Sequence, residues 1–375
     1  MNTTIHKQKD VIQNLLDLAD VRLNGERPWD IRIKDDRAYA RFLSGGSLGF
    51  GESYMDGWWD ADELDTLVAR VLKANLHTKV RNNPKLLIYL GRAIVTNAGS
   101  TKRAYDIGEK HYDIGNDLYE RMLDRRMVYT CGYWKDAHNL DEAQEAKLDL
   151  VCRKIGLRQG DHVLDIGCGW GSFAKYAAEK YGAHVTGITV SKEQVELAKS
   201  RCAGLPVDIR LQDYRDVDGT FDHVISLGMF EHVGYKNYRT FMKVVKRVLK
   251  PEGLFLLHTI GGNKSDKITD PWIDKYIFPG SLLPSAKQIV TASEGLFILE
   301  DWHSFGADYD KTLMAWFKNI DAHWCEIQQT YDDRFYRMWK FYLLSCAGSF
   351  RCRCNQLWQL VLSPNGVKGG YTSVR

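Results

Sequence analysis

Apolar positions near the start of the chain fall at helical spacing: Val11, Ile12, Leu15, Leu16 and Leu18 predict an amphipathic helix. Residues 27–33, Arg27-Pro28-Trp29-Asp30-Ile31-Arg32-Ile33, then alternate like a short strand. The glycine-rich run at 45–51 predicts a flexible turn. It leads into Trp58 and Trp59, whose rings are expected in a core, with a lipid interface as the alternative. From residue 140 onward the pattern changes. Residues 142–157 carry Ala143, Ala146, Leu150 and Ile155 at apolar positions of a helix. Strand-like runs follow at 162–167, 184–190, 207–213, 221–228, 253–261, 296–302 and 356–363, with helical segments near 170–181, 191–203 and 237–250. Such alternation predicts an α/β fold, a mostly parallel sheet with helices on both faces. No internal repeat is visible.

The stretch Asn97-Ala98-Gly99-Ser100-Thr101-Lys102 has linker composition. It divides the 375 residues into a smaller, mainly helical N-terminal domain at 1–96, a linker at 97–107 and a larger α/β domain at 108–375. With 44% apolar and 26% charged residues, the composition excludes wholesale disorder. No uncharged apolar run approaches the ~18–20 residues of a spanning helix, and the stretch at 86–95 is short and holds Arg92. The N-terminal residues lack the apolar core of a signal peptide. Eight cysteines without repeated spacing imply reduced thiols and a cytoplasmic location. Cys352 and Cys354 form C-x-C, but no second pair or histidine cluster completes a metal site, so none is expected.

The net charge of +3 is a sum over uneven parts. Between Asp65 and Asp106 there is no acid, while Lys73, Lys79, Arg81, Lys85, Arg92, Lys102 and Arg103 lie in that span. Such a region attracts phosphates, and the apolar run Leu86-Leu87-Ile88-Tyr89-Leu90 inside it fits a membrane surface better than a nucleic-acid groove. A solvated helix face beside a buried one is the alternative. Lys236, Arg239, Lys243, Lys246 and Lys250 recur along a second helix, opposite Phe241, Val244, Val245, Val248 and Leu249. Residues 262–288 form a long insertion with Trp272, Tyr276, Ile277 and Phe278, of a length expected for a lid or a binding loop.

Chemistry concentrates at Val163-Leu164-Asp165-Ile166-Gly167-Cys168-Gly169-Trp170-Gly171, an apolar strand ending in a glycine turn that starts a helix. Glycines there permit close approach of a ligand, and open α/β sheets bind ligands at the carboxyl ends of strands. The spacing is G-x-G-x-G behind Asp165, not the G-x-G-x-x-G of a dinucleotide site. This form resembles motif I of the class I S-adenosylmethionine-dependent methyltransferases. The resemblance implies cofactor contacts by Asp165, Gly167, Gly169 and Gly171, with Asp213 near the adenine amino group and Tyr214 over the ring. Most such enzymes hold the ribose with an acid after the second strand. Here none stands there, and Thr189 and Gln194 are the expected replacements.

A closer resemblance is carried by Gly108-Glu109-Lys110-His111-Tyr112-Asp113-Ile114-Gly115-Asn116-Asp117, Tyr129-Thr130-Cys131, Met229-Phe230-Glu231-His232-Val233-Gly234 and Leu257-His258-Thr259-Ile260-Gly261. Pro271-Trp272-Ile273-Asp274-Lys275-Tyr276-Ile277-Phe278-Pro279-Gly280 and Phe305-Gly306-Ala307-Asp308-Tyr309 extend it. Together they look like the cyclopropane-fatty-acyl-phospholipid synthase family, over roughly residues 49–361. The resemblance implies a Rossmann-like, seven-stranded methyltransferase fold. It also implies methylene transfer from S-adenosylmethionine to a cis double bond of a phospholipid acyl chain. The alkene attacks the methyl group, and a bound bicarbonate deprotonates the resulting carbocation. Its implied ligands are Cys131, Glu231, His258, the backbone of Ile260, and Tyr309, while Tyr129 and Thr130 adjoin the cofactor. Cys346 matches a cysteine assigned to the active site of these synthases, although the reaction requires no covalent enzyme intermediate. A phospholipid bilayer at the inner face of the cell membrane and a second copy of the chain are the expected partners. A branched methyl or methylene product, and a non-catalytic lipid-binding protein, are the competing readings.

Overall fold

The computed structural model describes residues 2–76 and 115–375, which cluster into two units. The boundary expected at 97–107, most of the acid-free run and the Gly108-to-Ile114 part of the family motif lie outside the described residues.

One unit comprises Leu123–Thr269, Gly280–Ala315 and Asn355–Arg375. Its sheet has seven strands, β1 (His162–Ile166), β2 (His184–Thr189), β3 (Val207–Leu211), β4 (Phe221–Leu227), β5 (Leu249–Gly262), β6 (Ile298–Ser304) and β7 (Asn355–Ser363). They lie in the order β3-β2-β1-β4-β5-β7-β6, parallel except that β7 runs antiparallel to both neighbours. The seven strands and their mostly parallel sense are those the apolar runs predict. Val163, Leu164 and Ile166 are buried because a parallel strand is covered on both faces. Helices α1 (Leu140–Lys154), α2 (Ser172–Tyr181), α3 (Lys192–Arg201), α4 (Tyr238–Val248) and α5 (Ala286–Ser293) accompany them. Side chains of Asn139, Ser191 and Ser285 cap α1, α3 and α5. On α4, Phe241, Met242, Val245 and Val248 enter the core. Of its cations, Arg239 donates to the carbonyls of Ala292 and Glu294, and Lys250, beyond its end, pairs with Asp222. The basic stripe is therefore partly spent on the fold.

The other unit comprises Met1–Met122, Asp270–Pro279 and Trp316–Cys354. Its helices are Asn2–Leu16, Arg37–Met55, Leu64–Lys73, Asn116–Met122, Pro271–Tyr276 and Asp333–Arg351, with helix α6 (Ala307–Ile327) beginning in the sheet unit and ending in this one. Two expectations need correction here. The alternation at 27–33 yields only the pair Arg32–Ile33, joined to Trp59–Asp60. Asp30 turns the chain by accepting from the backbone amides of Arg22 and Arg27. The glycine run is not a loop. It lies within the helix Arg37–Met55, broken only at Gly46 (φ 52°, ψ −134°). Close packing explains glycine at two sites: a Cβ at Gly49 would sit 2.3 Å from the Arg41 carbonyl, and one at Gly51 2.4 Å from the Trp272 ring. Trp59 and Trp272 are core residues, Trp272 facing Met55 and Phe341.

Candidate active site

The glycine turn follows β1 directly. The amides of Gly167 and Cys168 both donate to the Ile188 carbonyl at 3.0 Å, tying the turn to β2. The glycines answer different needs. Gly167 (φ +84°) has Met229 so close that a Cβ would lie 2.6 Å from it, whereas Gly169 (φ +53°) faces open space. That space lies at the carboxyl ends of parallel strands and the start of α2, the position at which the glycine motif leads one to expect S-adenosylmethionine. Asp165 is buried, which raises its carboxyl to about 7 against the opposing charge of Lys147.

At the end of β2 the structure brings the two proposed ribose residues together, with the Thr189 hydroxyl donating to Gln194 Oε1 at 2.7 Å. Asp213 is engaged by the Arg215 guanidinium at 2.7 Å, which holds its carboxyl below the usual range. Tyr214 is buried, its ring 5.2 Å from Phe241.

The expected base residues come from four pieces of the sheet unit. Glu231 lies in the turn Phe230–His232 after β4; its Oε1 accepts from the Ile260 amide at 2.7 Å. That amide therefore positions the carboxyl. Its Oε2 is buried without a hydrogen-bond partner among the described residues. Burial raises the Glu231 carboxyl to about 7, opposed by the Ile260 amide. His258 stands on β5, in register with Leu227 of β4 and Gln359 of β7. Gln359 Nε2 lies 3.2 Å from His258 Nδ1. An amide nitrogen only donates, so Nδ1 accepts and the proton is on Nε2. Nε2 is likewise buried without a partner among the described residues. Burial, reinforced by Lys147 and Lys154, pushes the imidazole well below its usual range, so it is neutral.

Cys131 is fully buried, its Sγ 3.9 Å from Thr312 Oγ1. Burial holds the thiol well above its usual range, so it is a donor and no nucleophile. Thr312, one turn along α6 from the buried Tyr309, accepts from the Gly132 amide at 3.1 Å and Trp134 Nε1 at 2.9 Å. Tyr129 and Thr130 are half-buried. Cys346 belongs to the helical unit, on Asp333–Arg351, with its thiol raised to about 12 by burial and Asp270.

Sequence reasoning missed Gln144, Lys147, Thr312 and Gln359. Lys147 and Gln144 are both fully buried on α1, and Lys147 Nζ donates to Thr130 Oγ1 at 2.7 Å. One signal was legible: Lys147 and Lys154 share the helical face of Ala143 and Leu150, where a charge is out of place.

Matches to known proteins identify the family and the fold. The family model of mycolic acid cyclopropane synthetase covers residues 99–360. A cyclopropane-fatty-acyl-phospholipid synthase from Escherichia coli (strain K12) is 53% identical over 365 residues, 97% of this chain and 95% of that protein. A probable fatty acid methyltransferase from Pseudomonas putida is 39% identical over 254 residues, 64% of each chain. Among solved structures, the mycolic acid cyclopropane synthase CmaA1 complexed with SAH and CTAB superimposes with a TM-score of 0.63 at 32% identity, covering 67% of this chain and 95% of that one.

Proposed function

The chain belongs to the mycolic acid cyclopropane synthetase family, and from that premise we propose that it forms cyclopropane rings in membrane phospholipids. A methylene group passes from S-adenosylmethionine to the cis double bond of an unsaturated acyl chain. The observation that carries the base chemistry is that two of the buried atoms without a partner among the described residues, Glu231 Oε2 and His258 Nε2, come from the ends of adjacent strands; Gln144 Oε1 and Gln359 Oε1 share that lack. Such atoms are rare in folded proteins because each costs ~1–3 kcal/mol. A small oxyanion with one proton matches both: the neutral His258 donates Nε2–H, and Glu231 Oε2 accepts the proton when ionised or shares its own when not. Bound there, bicarbonate supplies the base that removes a proton from the transferred methyl group.

The protein's own residues do the rest. A carboxyl near 7 avoids placing two full negative charges side by side. The Ile260 amide fixes the orientation of Glu231, and Gln359 fixes the tautomer of His258. Cys131 and Tyr309 are buried without adding charge, the thiol donating to the Gly132 carbonyl at 3.2 Å. Access to the acyl chain is peripheral in this reading, since no described helix is long and apolar enough to cross a membrane.

The test is incubation with labelled S-adenosylmethionine and vesicles of unsaturated phospholipid, read by mass spectrometry. A gain of one CH2 that resists hydrogenation is expected; a product that still takes up hydrogen is the branched alkene and overturns the ring. Depleting carbon dioxide and bicarbonate should lower turnover by about 10²-fold or more, as loss of a general base does, and added bicarbonate should restore it.

A further inference from the structure

A second buried arrangement holds the Tyr129-Thr130-Cys131 segment. Thr130 is gripped twice from α1: Gln144 Nε2 donates to its carbonyl at 2.7 Å, and Lys147 Nζ to its hydroxyl at 2.7 Å. Both gripping side chains are fully buried. The Thr130 methyl group meanwhile fills the space at Gly228 (φ +73°), where a Cβ would lie 2.6 Å from Thr130 Cγ2. Gly228 in turn donates to the His258 carbonyl at 2.9 Å. One contiguous chain of contacts thus runs from α1 through Thr130 and Gly228 to His258.

A buried ammonium is costly unless paired, and Lys147 has the charges of Asp124 and Asp165 opposing its desolvation. Of the two fully buried ammonium groups on α1, Lys154 lies 3.9 Å from Asp301, while Lys147 is spent on Thr130, the residue before Cys131. We propose that Gln144 and Lys147 are positioning residues that lock Thr130 by its carbonyl and its hydroxyl, and through it set the placement of Cys131 and of the strand ends beside it. The inference rests on the assignment of Tyr129, Thr130 and Cys131 made above. Neither residue touches a reacting atom; both act through Thr130.

The test is a double-mutant cycle on turnover with Thr130→Val, which keeps the shape and loses the hydroxyl, and Lys147→Met. Each single variant is expected to lower kcat on the order of 10²-fold, as ångström-scale misplacement does. The double variant should be no slower than the slower single. Thr130→Ser keeps the hydroxyl and should stay within about threefold of wild type, a separation that general loosening would not produce. Single variants within about threefold of wild type, or a double variant whose loss is the product of the singles, overturn the proposal. If Lys147→Met does not fold by thermal melting, Thr130→Val against Thr130→Ser decides alone. A wild type indifferent to bicarbonate removes the base assignment and leaves these ratios readable. A wild type without lipid activity removes the functional reading. The grip is then read from the dissociation constant for S-adenosylmethionine, expected to rise about tenfold with valine and methionine and not with serine.

Discussion

The Glu231 carboxyl combines a burial cost with opposing hydrogen bonds from the Ile260 amide, its own amide and the Thr259 side chain, and the net effect gives it a measurable pH signature. Its pKa is raised from 4.5 to about 7 in the folded chain. Below the unfolded value both states hold the proton and nothing is lost. As pH rises through the folded value the unfolded chain has released its proton more readily, so stability falls, by on the order of 3 kcal/mol between pH ~4.5 and ~7. Glu231→Gln should lack that share of the fall; melting temperatures of both proteins across this range check it. A wild type and variant that soften in parallel would contradict the buried carboxyl. Thiol chemistry offers a second check. Cys325 is exposed while Cys131 is buried, so iodoacetamide at neutral pH should label Cys325 first and spare Cys131 in the native chain, as peptide mapping would reveal. Residues inside contiguous motifs, such as Glu231 and His258, were legible in the sequence. Gln359 was not, since one polar residue within Trp358-Gln359-Leu360 acquires its role only from strand register.

At the scale of elements, the glycines of one turn separate two kinds of necessity. Gly169→Ala places a methyl group in open space at a left-handed φ, so it should cost about 1 kcal/mol of stability. If S-adenosylmethionine binds over that space, as the motif leads one to expect, the variant should weaken it by about tenfold or more. Gly167→Ala meets Met229 as well and should lose roughly 1–3 kcal/mol besides. Calorimetric titration beside thermal melts distinguishes them. In the helical unit, Gly45 has open space and a φ outside the left-handed region, so Gly45→Ala should stabilise by about 0.5–1 kcal/mol. Gly51→Ala should destabilise by about 1–3 kcal/mol through Trp272. The sheet was readable because its strands are short apolar runs between turn signals. The helix Arg37–Met55 was not, because its glycines oppose helix propensity and tertiary packing overrides them.

For the whole molecule, the charge of +3 joins few features of the fold and leaves Lys236 and Lys243 exposed beside α4. Binding to anionic vesicles should therefore weaken as salt rises, since the Debye length shrinks from about 10 Å at 0.1 M to about 3 Å at 1 M. Co-sedimentation at the two ionic strengths checks this, and retention unchanged at high salt would point to apolar insertion instead. The position of β7 has a consequence for the order in which the protein is made. Synthesis runs from the N-terminus, and Cys131, Glu231, His258, Ile260 and Tyr309 all leave the ribosome before Gln359. A nascent chain ending short of residue 355 already carries the glycine turn, yet β5 and β6 lack the strand that joins them and His258 lacks the amide that fixes its proton. The last described strand to be translated is thus the one that joins β5 to β6 and sets the Gln359 amide against His258.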